Sequence, residues 1–165
     1  MNFSTDNINL FKTLFQGRQD VYAIHWEKEG KSGYMPAYKV DWSDYGKHTA
    51  SGGTFKNYTQ KEYLPFNNDV ILHHFQGSEI IGVYPLLEDN TSYFIAADFD
   101  EDNWKVSIQK LYSTCIKYDI PSYIERSRSG NGGHLWVFFE ENLPAEQIQK
   151  LMFELNEYLF LYLKH

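Results

Sequence analysis

Ile8, Leu10, Phe11, Leu14 and Phe15 recur at near-helical spacing behind the cap residues Thr5 and Asp6, and Gly17 closes the run, which predicts an amphipathic helix over residues 5–16. From there to residue 66 the periodicity fades. Gly, Ser, Thr, Tyr and Lys dominate, and the stretch reads as loops carrying short strands or helices. Order returns with NNDVILHHFQG, a capped helix ending at Gly77, and SEIIGVYPLL, a strand running to Pro85. EDNTSY is a turn, YFIAADFD a strand, and NWKVSIQKLYSTCIKYD a helix with Trp104, Ile108, Leu111, Tyr112, Cys115 and Ile116 on one side. PSYIERS and HLWVFFE are strands flanking the glycine-rich RSGNGG. PAEQIQKLMFELNEYLFLYLK is a helix opened by Pro144 and striped by Ile148, Leu151, Met152, Leu155, Tyr158, Leu159, Tyr162 and Leu163. From residue 80 the order is strand, strand, helix, strand, strand, helix. It predicts an α+β domain with helices packed on one face of a largely antiparallel sheet. Residues 1–79 stand apart as an N-terminal helical and loop-rich extension of a core over residues 80–165.

Composition narrows the function classes. The chain has 22 acidic and 15 basic residues among 165, a formal charge of -7, which argues against broad electrostatic adhesion to nucleic acid or anionic membranes. Contact with nucleic acid is therefore expected to be local. The single cysteine, Cys115, excludes an internal disulfide framework and a cysteine-built zinc site, so zinc is not expected and a reducing cytoplasm is the expected home. Its place in LYSTCIKY is that of a buried helix residue. No apolar run approaches the ~20 residues that span a bilayer, so no membrane partner is expected.

Chemistry concentrates in two places. On the strand YFIAADFD, Ala96, Asp98 and Asp100 share one face and Ile95, Ala97 and Phe99 the other, because successive residues of a strand point to opposite sides. At about 3.3 Å per residue the two aspartates stand roughly 6.5 Å apart, within reach of one or two divalent ions. Glu101 and Asp102 follow, where the next helix begins and its dipole favours negative charge. Taken alone, the pair also fits solvated acids at a strand end.

The second place is IERSRSGNGGHLWVFF. Its glycines present backbone N–H groups where side chains would block a phosphate, and Arg126, Ser127, Arg128, Ser129, Asn131 and Gly132 surround them. His134 opens the following strand and shares its face with Trp136 and Phe138. An ordinary hairpin, with SGNGG chosen for positive φ, would look the same in isolation. Beside the acidic strand the combination gains an economical meaning: acids for a divalent metal, and a basic, glycine-rich side for a triphosphate.

AADFD and SGNGGH resemble the paired acidic and small-x-His motifs of the archaeo-eukaryotic primase superfamily. FQGRQDVYA, GKSGYMPA, IGVYPLL, AADFDEDNW and ERSRSGNGGHLWVFFEENLPA resemble, in order, the primase-polymerase domain of TOTE conflict systems. The resemblance implies an RRM-like catalytic core and metal-dependent nucleotidyl transfer with Mg²⁺ or Mn²⁺ on Asp98 and Asp100. It also implies that His134 contacts the phosphates of an incoming nucleoside triphosphate. A nucleic-acid template or primer and a fused or associated helicase are the implied partners, in defence against foreign nucleic acid. Arg126, Arg128, Ser129, Asn131 and Gly132 are the accompanying nucleotide-binding candidates, Arg126 with a structural role as its alternative, and Lys31 and Tyr34 stand either near template or nucleotide or packed within their loop. Two departures matter. The cysteine-rich zinc segment of such relatives is replaced by HTASGGTFKNYTQKEYLPF, and their third acidic motif, expected beyond the last helix, is not in the chain. The expectation is the first part of a catalytic domain, inactive by itself and able to self-associate through Tyr158, Leu159, Tyr162 and Leu163. The alternatives are a non-catalytic RRM-like nucleic-acid binding module, stacking bases on Tyr123, Trp136 and Phe138, and a metal-dependent nuclease.

Overall fold

The computed structural model describes residues 3–162, with side chains described as far as residue 155. Two compact units divide it: residues up to Phe11 with Arg18–Tyr84, and Lys12–Gly17 with the chain from Pro85 onward.

In the first unit, α1 (Thr5–Leu14) sets Ile8 and Phe11 against a core of Tyr22, Ala37, Phe66, Val70, Ile71 and Ile81. β1 (Ala23–Lys28) and β2 (Lys31–Pro36) form a hairpin whose two turn residues, Glu29 and Gly30, both have positive φ, at 52° and 75°. That turn matches the right-handed twist of the strands it joins. β3 (Tyr38–Val40) pairs with β4 (Lys61–Tyr63). α2 (Trp42–Ala50) is capped by Asp41, whose carboxylate accepts from the Ser43 and Asp44 N–H groups, and α3 (Asn68–Phe75) is capped in the same way by Asn67. The strand expected over SEIIGVYPLL shortens to β5 (Ile81–Gly82), because only Ala23 and Ile24 of β1 lie opposite it.

The second unit follows the predicted order from its second strand on, whereas the strand expected to open it, β5, pairs with β1 in the first unit instead. β6 (Thr91–Phe99), α4 (Trp104–Lys117), β7 (Tyr123–Arg126), β8 (Gly133–Pro144) and α5 (Ala145–Tyr162) succeed one another. The sheet order is β6-β8-β7, antiparallel at both junctions, with β8 central. Ile108, Leu111 and Cys115 of α4 and Met152 and Leu155 of α5 bury against Leu135 and Val137 of β8, with Ile95, Ala97 and Phe99 of β6 beside them. Each fully buried Leu or Ile contributes about 1.5–3 kcal/mol. Ile116, expected on the buried side of α4, is exposed. β8 runs longer than HLWVFFE, since beyond a bulge at Ser92/Phe94 its residues Leu143 and Pro144 pair with Ser92 and Thr91. The expected apolar edge of Tyr158, Leu159, Tyr162 and Leu163 lies outside the described side chains.

The class is thus α+β with antiparallel sheets and five helices among the described residues, as the sequence pattern predicts. Among those residues no helix is long and apolar enough to cross a membrane.

Candidate active site

Helices cover one face of the β6-β8-β7 sheet, and the chemistry lies on the other. Asp98 of β6 is directly opposite His134 of β8, and His134 is directly opposite Glu125 of β7, so three strands place three ionisable side chains in one row. His134 Nε2 lies 3.3 Å from Asp98 Oδ1, and Nδ1 lies 3.4 Å from Glu125 Oε2. The same Glu125 oxygen accepts the Trp136 indole N–H at 2.8 Å. Asp98 keeps 70% of its side-chain surface exposed against 31% for His134, so the row opens to solvent at the β6 side. His134 Nδ1 is fully enclosed, and its contact with Glu125 falls outside hydrogen-bond geometry. Sequence reading missed Glu125. The signal was present, since pairing Arg126 with Gly133 across the glycine turn automatically puts Glu125 opposite His134.

The glycine-rich turn is pressed onto the end of the acidic strand. A Cβ on Gly132 would lie 2.6 Å from the Phe99 carbonyl oxygen and 3.4 Å from the Asp100 Cα, and one on Gly133 would lie 2.8 Å from the Trp104 ring and 3.0 Å from the Glu125 carbonyl oxygen. Gly132 therefore lets the turn lie against the backbone at Asp100, while Gly133 makes room for Trp104 and the β7 backbone. Gly130 is different: its φ of +77° is left-handed, and its carbonyl accepts from Arg126 Nε at 3.1 Å and Nη2 at 3.0 Å. The Arg126 guanidinium thus closes the turn. Within it, Ser127 N–H donates to the Gly132 carbonyl, Gly130 N–H to the Ser127 carbonyl, and Asn131 N–H to Ser129 Oγ. Those three donors are engaged by the turn itself. Arg128, Ser129 and Asn131 are exposed on its outer side.

Trp136 and Phe138 stack at 6.2 Å with their planes 7° apart, and Phe94 joins them from β6. Phe15 stands edge-on against all three, at 5.6 Å from Phe94, 5.2 Å from Trp136 and 5.4 Å from Phe138. The rings considered for base stacking are therefore covered by a ring of the same chain, while Tyr123 stays 60% exposed. Lys31 and Tyr34 belong to β2 in the other unit. Among the described residues, no group of three or more His, Cys, Asp or Glu side chains is arranged to hold a metal ion.

Acids at the end of an antiparallel strand face a histidine on the strand that follows a glycine-rich hairpin, within an α+β unit, a fold class consistent with a primase-type domain. The chain matches the family described as the TOTE conflict system, Archaeo-Eukaryotic Primase domain, over residues 6–161, and belongs to that family. Its kind of activity is that of a primase domain, with nucleotides and nucleic acid as substrates. No curated protein matches the chain.

Proposed function

We propose that the open end of the β6-β8-β7 sheet binds a nucleoside triphosphate with a divalent cation, Mg²⁺ or Mn²⁺, for transfer of a nucleotide to a nucleic-acid 3′-hydroxyl. The observation that carries this reading is the approach of the glycine turn to the acidic strand: Gly132 packs on the backbone of Phe99 and Asp100 while Asp98 faces His134. The donor set fits the cation. Asp98 and Asp100 are exposed carboxylates at a strand end, and Mg²⁺ is commonly held by one or two carboxylates plus substrate phosphates while it keeps several waters. When bound, the cation neutralises charge on the triphosphate and on the leaving pyrophosphate.

The protein's own residues supply position. Asp98 and Asp100 orient the metal-bearing end of the nucleotide, Arg128 and Ser129 meet phosphate oxygens from the turn, and His134 presents its Nε2 edge from β8. Arg126 and Gly132 shape the turn, and Asn131 sits on its outer side. Isothermal calorimetry with a nonhydrolysable triphosphate, with and without Mn²⁺, tests the reading. Asp98→Asn and Asp100→Asn each remove a charge at nearly constant size, so both should abolish Mn²⁺-dependent binding while the thermal midpoint barely moves. Arg128→Ala should weaken triphosphate binding by about 1–3 kcal/mol and monophosphate binding by less. Unchanged binding in both aspartate variants would overturn the assignment.

A further inference from the structure

On the open face of the β6-β8-β7 sheet, β6 presents Phe94, Ala96, Asp98 and Asp100 in turn. Phe94 is buried, with Phe15 edge-on against it, and Phe15 also stands over Trp136 and Phe138. The cover stops there. Ala96, one step nearer the acids and directly opposite Trp136, is exposed, as are Asp98 and Asp100 beyond it. Trp136 is held toward the far strand, because its indole N–H donates to Glu125 Oε2 of β7 at 2.8 Å and its ring lies within 7° of parallel to Phe138. What remains over Ala96 is a shallow step in the sheet surface, floored by one methyl group. The covered rings border it on one side along the strand, and Asp98 borders it on the other. Folding alone gives no reason for so small a side chain at this position, since strands favour β-branched and aromatic residues over alanine.

We infer that Ala96 is a specificity-determining residue: its small side chain leaves the space in which the sugar and base of the nucleotide lie, beside the half-buried Trp136 ring, while the triphosphate runs past Asp98 toward the glycine turn. The inference rests on the proposed nucleotide site and adds which end of the ligand lies where. Charge sorts the two ends. The strip at Ala96 is uncharged and has ring surface beside it, which suits the sugar and base, whereas the charged and hydroxyl side chains lie at the acid-and-turn end, which suits phosphates with their cation. Reach agrees with this order. Ala96 and Asp100 are two strand steps apart, roughly 13 Å, room for a sugar at one end and three phosphates at the other.

Ala96→Leu fills the step without touching the core, the acids or the turn, and Ala96→Val fills part of it with a residue that strands favour. Calorimetry in Mn²⁺ with two probes, a nonhydrolysable nucleoside triphosphate and inorganic tripolyphosphate, reads the two ends of the ligand separately. The parent should bind the nucleoside triphosphate more tightly than tripolyphosphate. Ala96→Leu should weaken nucleoside triphosphate binding about 10-fold or more, with Ala96→Val between it and the parent. Both variants should keep parental tripolyphosphate affinity and a parental melting temperature. Should leucine disturb the sheet, valine carries the same test. Parental binding of the nucleoside triphosphate by both variants overturns the inference and leaves the nucleotide site standing. An equal loss for both probes at an unchanged melt also overturns it, since phosphates would then lie over Ala96. A parent that binds neither probe overturns the nucleotide site itself, and the inference with it.

Discussion

At the scale of single residues, the site depends as much on absent side chains as on present ones. Gly130 and Gly132 are two residues apart and answer different demands. Gly130 supplies a left-handed φ in a turn open to solvent, and a Cβ there meets only the movable end of Arg126. Gly132 supplies room, because a Cβ there meets backbone at the end of β6, which cannot move without shifting Asp100. Gly130→Ala should therefore cost about 1–2 kcal/mol of stability and leave nucleotide affinity nearly unchanged. Gly132→Ala should cost a comparable 1–3 kcal/mol, roughly, yet also abolish Mn²⁺-dependent nucleotide binding, because the turn must back away from the acids. Thermal melts paired with calorimetry separate the two. Parent-like binding by Gly132→Ala would show that closeness of turn and acids is not what assembles the site.

At the scale of elements, how much was legible depended on how far along the chain the partner lay. Helix α4 announces itself through Ile108, Leu111 and Cys115 at helical spacing, and β6 through its alternation, because each buries one face against a continuous core. The β1–β2 hairpin was harder to see: its turn is Glu29-Gly30 instead of the usual Asn-Gly, so the left-handed first residue left no mark in composition. Helix α2 has a cap, Asp41, but little buried surface of its own, so no apolar stripe drew attention to it. Within the site, Asp98, Asp100 and His134 stand out as residue types, whereas Glu125 takes its place through cross-strand register and Phe15 through a contact spanning most of the chain. Phe15 offers a test at this scale. Removing it uncovers Trp136 and Phe138 without touching a charged group. Phe15→Ala should lower stability by about 2 kcal/mol, less than the ~3–5 of a fully enclosed phenylalanine. It should also shift the Trp136 indole N–H resonance, while Phe15→Leu restores most of both. An unmoved Trp136 signal in Phe15→Ala would mean that the ring lies elsewhere in solution.

At the scale of the whole molecule, each compact unit has its own core and its own carboxylate held below the usual range. In the first unit Asp20 is held down by the side-chain hydrogen bond from Arg18. In the second, Asp89 is held down chiefly by the Thr91 hydroxyl, which donates to it at 2.6 Å, aided by the Thr91 N–H at 3.1 Å. Asp89 matters beyond its own turn. The Thr91 hydroxyl also accepts from Asn142 of β8 at 2.8 Å, and the neighbouring Asn90 carbonyl accepts from Ala145 N–H at the start of α5, so one turn ties the beginning of β6 to the end of β8 and to the last helix. A carboxyl with a lowered folded-state pKa stabilises fully above its unfolded value, near 3.9, and loses that contribution as pH falls through the folded value. Cys115 reports on the second unit, because it is buried in that core and burial pushes its thiol up, so a thiol reagent reaches it only when the core opens. Labelling with dithiodipyridine, which reacts in acid, should accelerate in the parent as pH drops below about 4. Asp89→Asn should raise the rate at neutral pH and flatten its rise in acid, since the amide has no proton to gain there. Asp20→Asn removes a carboxylate whose hydrogen bonds lie in the other unit and should leave the Cys115 profile close to that of the parent. Equal flattening by the two variants would show that the units open as one cooperative body, and the acid response would then belong to the chain as a whole instead of to the turn that anchors β6.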